Sequence, residues 1–345
     1  MYIYRINLLF LLLVGTFNVF ATYYPTSSWE ISSPEDQQLR SDNVDALVNL
    51  AFLDDSTQAV VVIKNGKIIS EKYAEGYDKN SHGTSWSMAK SYYAALIGIS
   101  IDKGEIGSLD DKVAKYLSYF NDERSELTIR DLLDMSSGLD FPRDEHETMF
   151  FQEDHLKYAM GVGVEKDAGL KFEYNNVNSM LLGDILISAT GKKADILLKE
   201  RILDHIGVTD YKLWKDENGN VLTYCCVDMS ARDYSKIGLL FSRNGNWDGK
   251  QLISKKYIDE TFQVVWDITP ERFTTLQRGY SLHWWISAYK EDFKIFNTSG
   301  KFGQYTFVDR ENDIVVTKIT KYNQQDSGDV QKWGIMKYLR WAGVE

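Results

Sequence analysis

Ser87 stands three residues before Lys90 in the stretch "SWSMAKSYYAALIGIS", which runs from Ser85 to Ser100. Residues three apart share a helical face. Ser87 and Lys90 would therefore touch, with small Ala89 beside them and an apolar run behind. A lysine aimed into apolar surroundings is costly unless it has a partner or a task. A serine hydroxyl is a weak nucleophile that needs an adjacent base. A lysine can be that base only when neutral, a state that burial and neighbouring positive charge favour. The spacing also occurs at Ser100/Lys103 and Ser287/Lys290. Lys103 falls at the end of the same helix, where a lysine is an ordinary solvated charge. Ser287/Lys290 follows a strand, where three-residue spacing does not align side chains.

Two other stretches carry chemistry-bearing residues. "FEYNNVNSM" contains Tyr174-Asn175-Asn176 just before a helical run, and taken alone it reads as a turn that caps a helix. "SGKFGQYTFV", which includes Gly300 and Lys301, is a glycine-rich bend leading into a late strand, and taken alone it reads as a hairpin turn. Other catalytic signatures are missing. No Gly-x-Ser-x-Gly elbow occurs, and "HETMF" from His146 lacks the second histidine of a zinc-binding helix. The histidines at 82, 146, 155, 205 and 283 are scattered without ligand spacing, and no phosphate-binding loop is present. Neither a metal nor any other cofactor is expected. "NTS" at Asn297 matches a glycosylation acceptor, a tripeptide common by chance.

Elements able to position these residues can be read from periodicity. "QAVVVIKNGKIISEKY" (Gln58 to Tyr73) is a hairpin signal around Asn65-Gly66. Ser87 to Lys103 reads as an apolar helix ending near Gly104. From about 109 to 207 the chain is mainly helical, with apolar residues at three- and four-residue steps. Strands return in "GYSLHWWIS", "FKIFNTSG" and "QYTFVDRENDIVVTKIT", and "DVQKWGIMKYLRWAG" reads as a final helix. Strands at both ends with helices between them predict an α+β fold. One antiparallel sheet is assembled from N- and C-terminal segments and flanked by helices, and a helical lobe is inserted between them. A cleft between sheet and lobe is where a site would sit.

The 345 residues suffice for a sizeable core, and 43% hydrophobic with 26% charged residues is an ordinary globular composition. A formal net charge of -11 without a strongly basic stretch argues against a nucleic-acid partner. At the N-terminus, Arg5 precedes an apolar run from Ile6 to Ala21 that ends in Val19-Phe20-Ala21. This pattern is expected to be a secretory signal peptide over 1–21, cleaved after about Ala21, and the alternative is an uncleaved membrane anchor. Cleavage would leave 22–345 as one periplasmic or secreted domain with no stable membrane partner. The only cysteines, Cys225 and Cys226, are adjacent. A disulfide between neighbours is rare, so both are expected as small hydrophobes in a wall.

Taken in order, the Ser-x-x-Lys, Tyr-x-Asn and late glycine-bend elements resemble the serine β-lactamase and penicillin-binding protein superfamily. The resemblance is closest to its class C-like branch of esterases and 6-aminohexanoate-dimer hydrolases. It runs from about "SWEISSPEDQQLRSDNVDAL" at Ser28 to near the C-terminus. It includes "TIRDLLDMSSGLDF", "CCVDMSARDYSKIGLLFSRNGNWDGKQLIS" and "GQYTFVDRENDIVV".

The resemblance implies that Ser87 is the acylating nucleophile, Lys90 its partner base and Tyr174 the tyrosine of the second motif. Asn176 would help hold the lysine and the substrate. Whether Lys90 or Tyr174 is the base stays open. The oxyanion would be met by the Ser87 amide at its helix N-terminus and by a late-strand amide, expected at Lys301 beside Gly300. One departure matters: relatives that recognise penicillin carry Lys-Thr-Gly or His-Thr-Gly in the late strand, and "IFNTSGKFGQ" has neither.

The resulting expectation is an exported serine hydrolase acting on a small ester or amide. The alternatives are a β-lactamase, a D-alanyl-D-alanine carboxypeptidase, or a non-catalytic binding module of the same fold. Phe141, Phe150, Trp284, Trp285 and Phe302 are candidates for an aromatic rim, with core roles as the alternative.

Overall fold

Asn65 and Gly66 both adopt positive φ, 52° and 80°, the geometry of a type I′ turn. They join β1 (Thr57–Lys64) to β2 (Lys67–Tyr73) in the expected hairpin. The computed structural model describes residues 22–140, 148–269, 277–290 and 293–321. The expected signal peptide, the final helix and Phe141 lie outside the described residues.

The second-sheet strands β3 (His82–Thr84), β4 (Lys212–Leu213) and β5 (Val227–Ser230) run in the order β3-β5-β4. A small hairpin, β6 (Asn246–Trp247) and β7 (Lys250–Gln251), follows. The late strands are β8 (Trp266–Asp267), β9 (Gln277–Ser281), β10 (Trp284–Lys290), β11 (Phe293–Gly300), β12 (Gln304–Asp309) and β13 (Ile314–Thr320). The main sheet has the order β2-β1-β13-β12-β11-β10-β9-β8, antiparallel throughout. The pairing of β1 with β13 joins the N-terminal segment to the C-terminal one, as expected. β1 is buried on both faces, so its apolar residues form a run rather than an alternation. Val60 and Val62 pack in the core with α1 (Ser41–Ala51), while Ala59, Val61 and Ile63 pack in the larger core.

The helical segment between the sheet portions contains α3 (Ile129–Leu133), α4 (His155–Gly161), α5 (Asn176–Thr190) and α6 (Ala194–Leu198). Before it comes α2 (Ala89–Asp102), whose residues 89–100 are all buried. A helix that is apolar on every side belongs in a protein's centre, and this placement is what buries Lys90. Behind the sheet, α7 (Ala231–Ser242) packs on β12 and β13.

"GYSLHWWIS" is not the single strand that its apolar pattern predicts. It is split into β9 and β10 by Leu282 and His283, both at positive φ, 40° and 63°. Neither is a turn residue, and the conformation costs energy without local compensation. Tertiary hydrogen bonds hold it. Leu282 N–H donates to Asp134 Oδ1 at 2.8 Å, His283 N–H to Leu133 O at 2.9 Å, and Ser91 Oγ–H to His283 O at 2.6 Å.

Asp134 is 2% exposed. Burial raises its carboxyl from 3.8 to about 6, while the Leu282 N–H and the Arg130 charge pull it the other way. A carboxyl whose folded pKa lies above its unfolded one adds stability below the unfolded pKa, and that contribution is lost as pH rises through about 6. Asp134→Asn keeps an oxygen for Leu282 and removes the charge. It should stabilise the fold at pH 8 by up to ~3 kcal/mol, raising the thermal midpoint there, and change it little at pH 4. Melting curves at the two pH values check this.

Candidate active site

The turn carrying Ser87 is braced against β5. Ser85 N–H donates to Val227 O at 2.8 Å, and Val227 N–H donates to Ser85 Oγ at 2.8 Å. Trp86 follows at φ 46°, a costly backbone for a bulky residue. It turns the chain so that Ser87 enters a short 3₁₀ turn, Trp86–Met88, leading directly into α2. Ser87 is half-buried, and Lys90, one turn on, is 1% exposed. Lys90 Nζ lies 3.0 Å from Ser87 Oγ and donates to Tyr224 O at 2.7 Å. Burial drives the Lys90 amine well below the ordinary lysine value.

Tyr174 comes from the other side of the cleft, immediately before α5. Its ring centroid is 5.0 Å from Lys90 Nζ, and its hydroxyl hydrogen-bonds with Ser87. Burial pushes the Tyr174 phenol up, while the Ser87 hydrogen bond acts the other way. The groups that face Ser87 are thus an amine that burial disfavours in its charged form and, from the other side, a phenol. Asn175, the middle residue of this motif, caps α5: its side-chain oxygen accepts from Val177 N–H at 2.8 Å, and its amide donates to Leu139 O at 3.1 Å. The capping reading and the site reading therefore both apply, to neighbouring residues. Asn176 does not hold the lysine as expected. It opens α5, and its Oδ1 is buried without a hydrogen-bond partner. The residue that holds the lysine is Tyr224, through its backbone.

The late strand closes the arrangement. β11 extends past its last pairing with β10, at Asn297, for three more residues, Thr298, Ser299 and Gly300. A Cβ at Gly300 would collide with Ser85 O, so only glycine lets the strand approach the nucleophile turn this closely. Thr298, in this part of the strand, is 1% exposed. Lys301 lies beyond the strand end, in the exposed bend, with Nζ 5.3 Å from the Phe302 ring centroid. Asn297, the matched glycosylation acceptor, is fully buried in β11.

Aromatic rings border Ser87. Trp86 packs against Phe150, Trp214 and Phe302 at centroid distances of 6.3, 6.1 and 5.2 Å. Tyr174 stacks on Trp285 at 5.6 Å. Phe150 and Phe302 thus pack beside Trp86, and Trp285 beside Tyr174. Trp284 does neither: it is 1% exposed and packs against Phe241 and Phe262. Neighbours on a strand face opposite ways, which puts Trp284 in the core and Trp285 in the cleft. Cys225 and Cys226 lie side by side across a cis peptide bond. A cis bond brings adjacent side chains to the same side; both cysteines are buried in the core behind Tyr224. Among the described residues, no group of three or more His, Cys, Asp or Glu could hold a metal ion, and no helix is long and apolar enough to cross a membrane.

The Beta-lactamase family profile matches residues 53–339. The chain belongs to the β-lactamase family. A curated relative, the 6-aminohexanoate-dimer hydrolase of Paenarthrobacter ureafaciens, is 21% identical over 297 residues, spanning 79% of this chain and 74% of that protein. Among solved structures, a penicillin-binding protein homologue from Pyrococcus abyssi, described as octameric, superposes with a TM-score of 0.70 at 18% identity. It covers 87% of this chain and 77% of that one. A family VIII carboxylesterase gives 0.69 at 14%, over 90% and 98%. Serine acyl-enzyme chemistry is general to this family, and the chain is a β-lactamase-related serine hydrolase.

Proposed function

We propose that the protein is an exported hydrolase that cleaves a neutral or hydrophobic ester or small amide through an acyl-enzyme on Ser87. Lys90 is the base, and Tyr174 is a protonated partner. The observation that carries this reading is the 3.0 Å contact between Ser87 Oγ and a lysine amine that burial keeps from holding its proton. A neutral amine takes the hydroxyl proton as oxygen attacks the carbonyl carbon, and later returns it to the leaving group. A phenol held above its usual pKa is a donor rather than a base, so Tyr174 stays protonated and holds the Ser87 oxygen by a hydrogen bond while Lys90 carries the proton. The Ser87 amide, in the first turn of its helix, and a backbone amide at Gly300 or Lys301 supply the oxyanion donors. Export rests on the Arg5–Ala21 pattern.

Substrate preference follows from what borders the serine. The late strand lacks the Lys/His-Thr-Gly triplet whose cation would pair with a β-lactam carboxylate, and Trp86, Phe150, Trp285 and Phe302 offer apolar surface. A missing charge-assisted hydrogen bond is worth roughly 1.5–3 kcal/mol, about ten- to a hundredfold in specificity. Short p-nitrophenyl esters should be turned over readily and a chromogenic cephalosporin slowly or not at all. Fast cephalosporin hydrolysis with negligible esterase activity would show that Lys301 or another cation does the triplet's work, favouring the β-lactamase or carboxypeptidase reading. No turnover and no serine labelling would leave the binding-module reading.

A further inference from the structure

Lys90 has two polar neighbours, Ser87 Oγ and Tyr224 O. A neutral amine has two N–H bonds and one lone pair. When one N–H is committed to Tyr224 O, rotation about the Cε–Nζ bond is limited, and the lone pair can be kept on the Ser87 hydroxyl. The position of that carbonyl thus governs whether the base is aimed. Tyr224 is 3% exposed, and its ring lies 5.6 Å from Lys90 Nζ. Its side chain is fixed at the far end, where the hydroxyl meets His155 Nδ1 at 2.9 Å. His155, 4% exposed, opens α4.

His155 is itself tied down. Its backbone N–H donates to Asp216 Oδ2 at 3.0 Å, and its ring hydrogen-bonds to the backbone of Phe150 and Gln152. Backbone carbonyls only accept, so the ring N–H is used there, and Nδ1 is left to accept the Tyr224 O–H. Phe150 in turn packs against Trp86, the residue before the nucleophile. The ionisable groups around the imidazole are Asp154, Asp216 and Tyr224, and burial keeps it neutral against the two carboxylates.

We propose that the Tyr224–His155 hydrogen bond is a positioning device: it fixes the Tyr224 carbonyl that aims the Lys90 amine at Ser87, and links that carbonyl to the Phe150 wall. Neither residue touches substrate. The inference rests on the Ser87/Lys90 chemistry proposed above.

The test measures kcat and KM for a p-nitrophenyl ester, per reactive serine counted by complete fluorophosphonate labelling, in four variants of the full chain. Tyr224→Phe and His155→Leu should each lower kcat/KM by about 10- to 100-fold, the scale of a displacement of about 1 Å, with KM little changed. The double variant should be no worse than either single one, because both remove the same bond. His155→Asn, whose side-chain oxygen sits near the place of Nδ1, should restore most of the activity. A purely structural role would reduce the melting temperature and the count of reactive serines but leave kcat/KM per serine at the wild-type value, and that result would overturn the proposal. So would additive losses, or failure of His155→Asn to rescue in a folded protein. If Ser87→Ala retained activity, the underlying chemistry would be wrong instead, which the same assay reveals separately.

Discussion

Ser87→Ala is expected to abolish turnover of activated esters while the circular dichroism spectrum and melting temperature stay close to wild type. The serine is half-buried at the head of α2 and contributes no apolar side chain to the core around it. Its hydroxyl is the atom that forms the bond to the acyl group, so nothing nearby substitutes for it. Tyr174 is a phenol pushed up by burial, and Lys90 is fixed by Tyr224 O rather than free to attack. Residual activity should fall to the level of the oxyanion donors alone, a loss of several orders of magnitude. Activity near wild type with an unchanged spectrum would make the serine structural.

The second large effect separates the three Ser-x-x-Lys pairs. Lys90→Ala should lower kcat/KM by about 100- to 10,000-fold, the usual contribution of a general base, and Lys90→Met should do the same with less loss of packing. Lys103→Ala should be nearly silent, because that side chain is exposed at the C-terminal end of α2. Lys290→Ala should be silent as well. Lys290 ends β10, a strand rather than a helix, where three-residue spacing does not align side chains. The pH profile gives an independent check. Burial holds the Lys90 amine well below the ordinary lysine value. A base of this kind is neutral at pH values where an ordinary lysine is still charged, and it is lost on acidification, when the amine takes a proton. Activity should persist at pH 7 and fall on an acidic limb. An activity that begins only near pH 10 would mean an ordinary charged lysine.

Much of this arrangement could be read in the sequence because it rests on side chains with strong local signals. Asn65-Gly66 fixed the first hairpin, and the uninterrupted apolar run after Lys90 marked a helix buried on all sides. What escaped was carried by backbone or by tertiary contact. The Leu282-His283 turn has no turn residues; Asp134 and the Leu133 carbonyl hold it from a distant helix. Tyr224 acts on Lys90 through a carbonyl, which every residue possesses, so no residue type could betray it. Asn176 was expected to hold the lysine because the family resemblance implied it, yet it opens α5 with its side-chain oxygen buried and unpartnered. Trp284 and Trp285 looked equivalent until the strand's alternation placed one in the core and the other against Tyr174.

The most direct test of the central claim is intact-mass measurement of the protein after exposure to a fluorophosphonate, followed by peptide mapping. The account predicts one adduct per molecule, located on Ser87 in the peptide that contains "SWSMAK", and none in Ser87→Ala. In Lys90→Met the adduct should form far more slowly. An adduct on another residue, or labelling of Ser87→Ala equal to wild type, would contradict the assignment of Ser87 as the nucleophile.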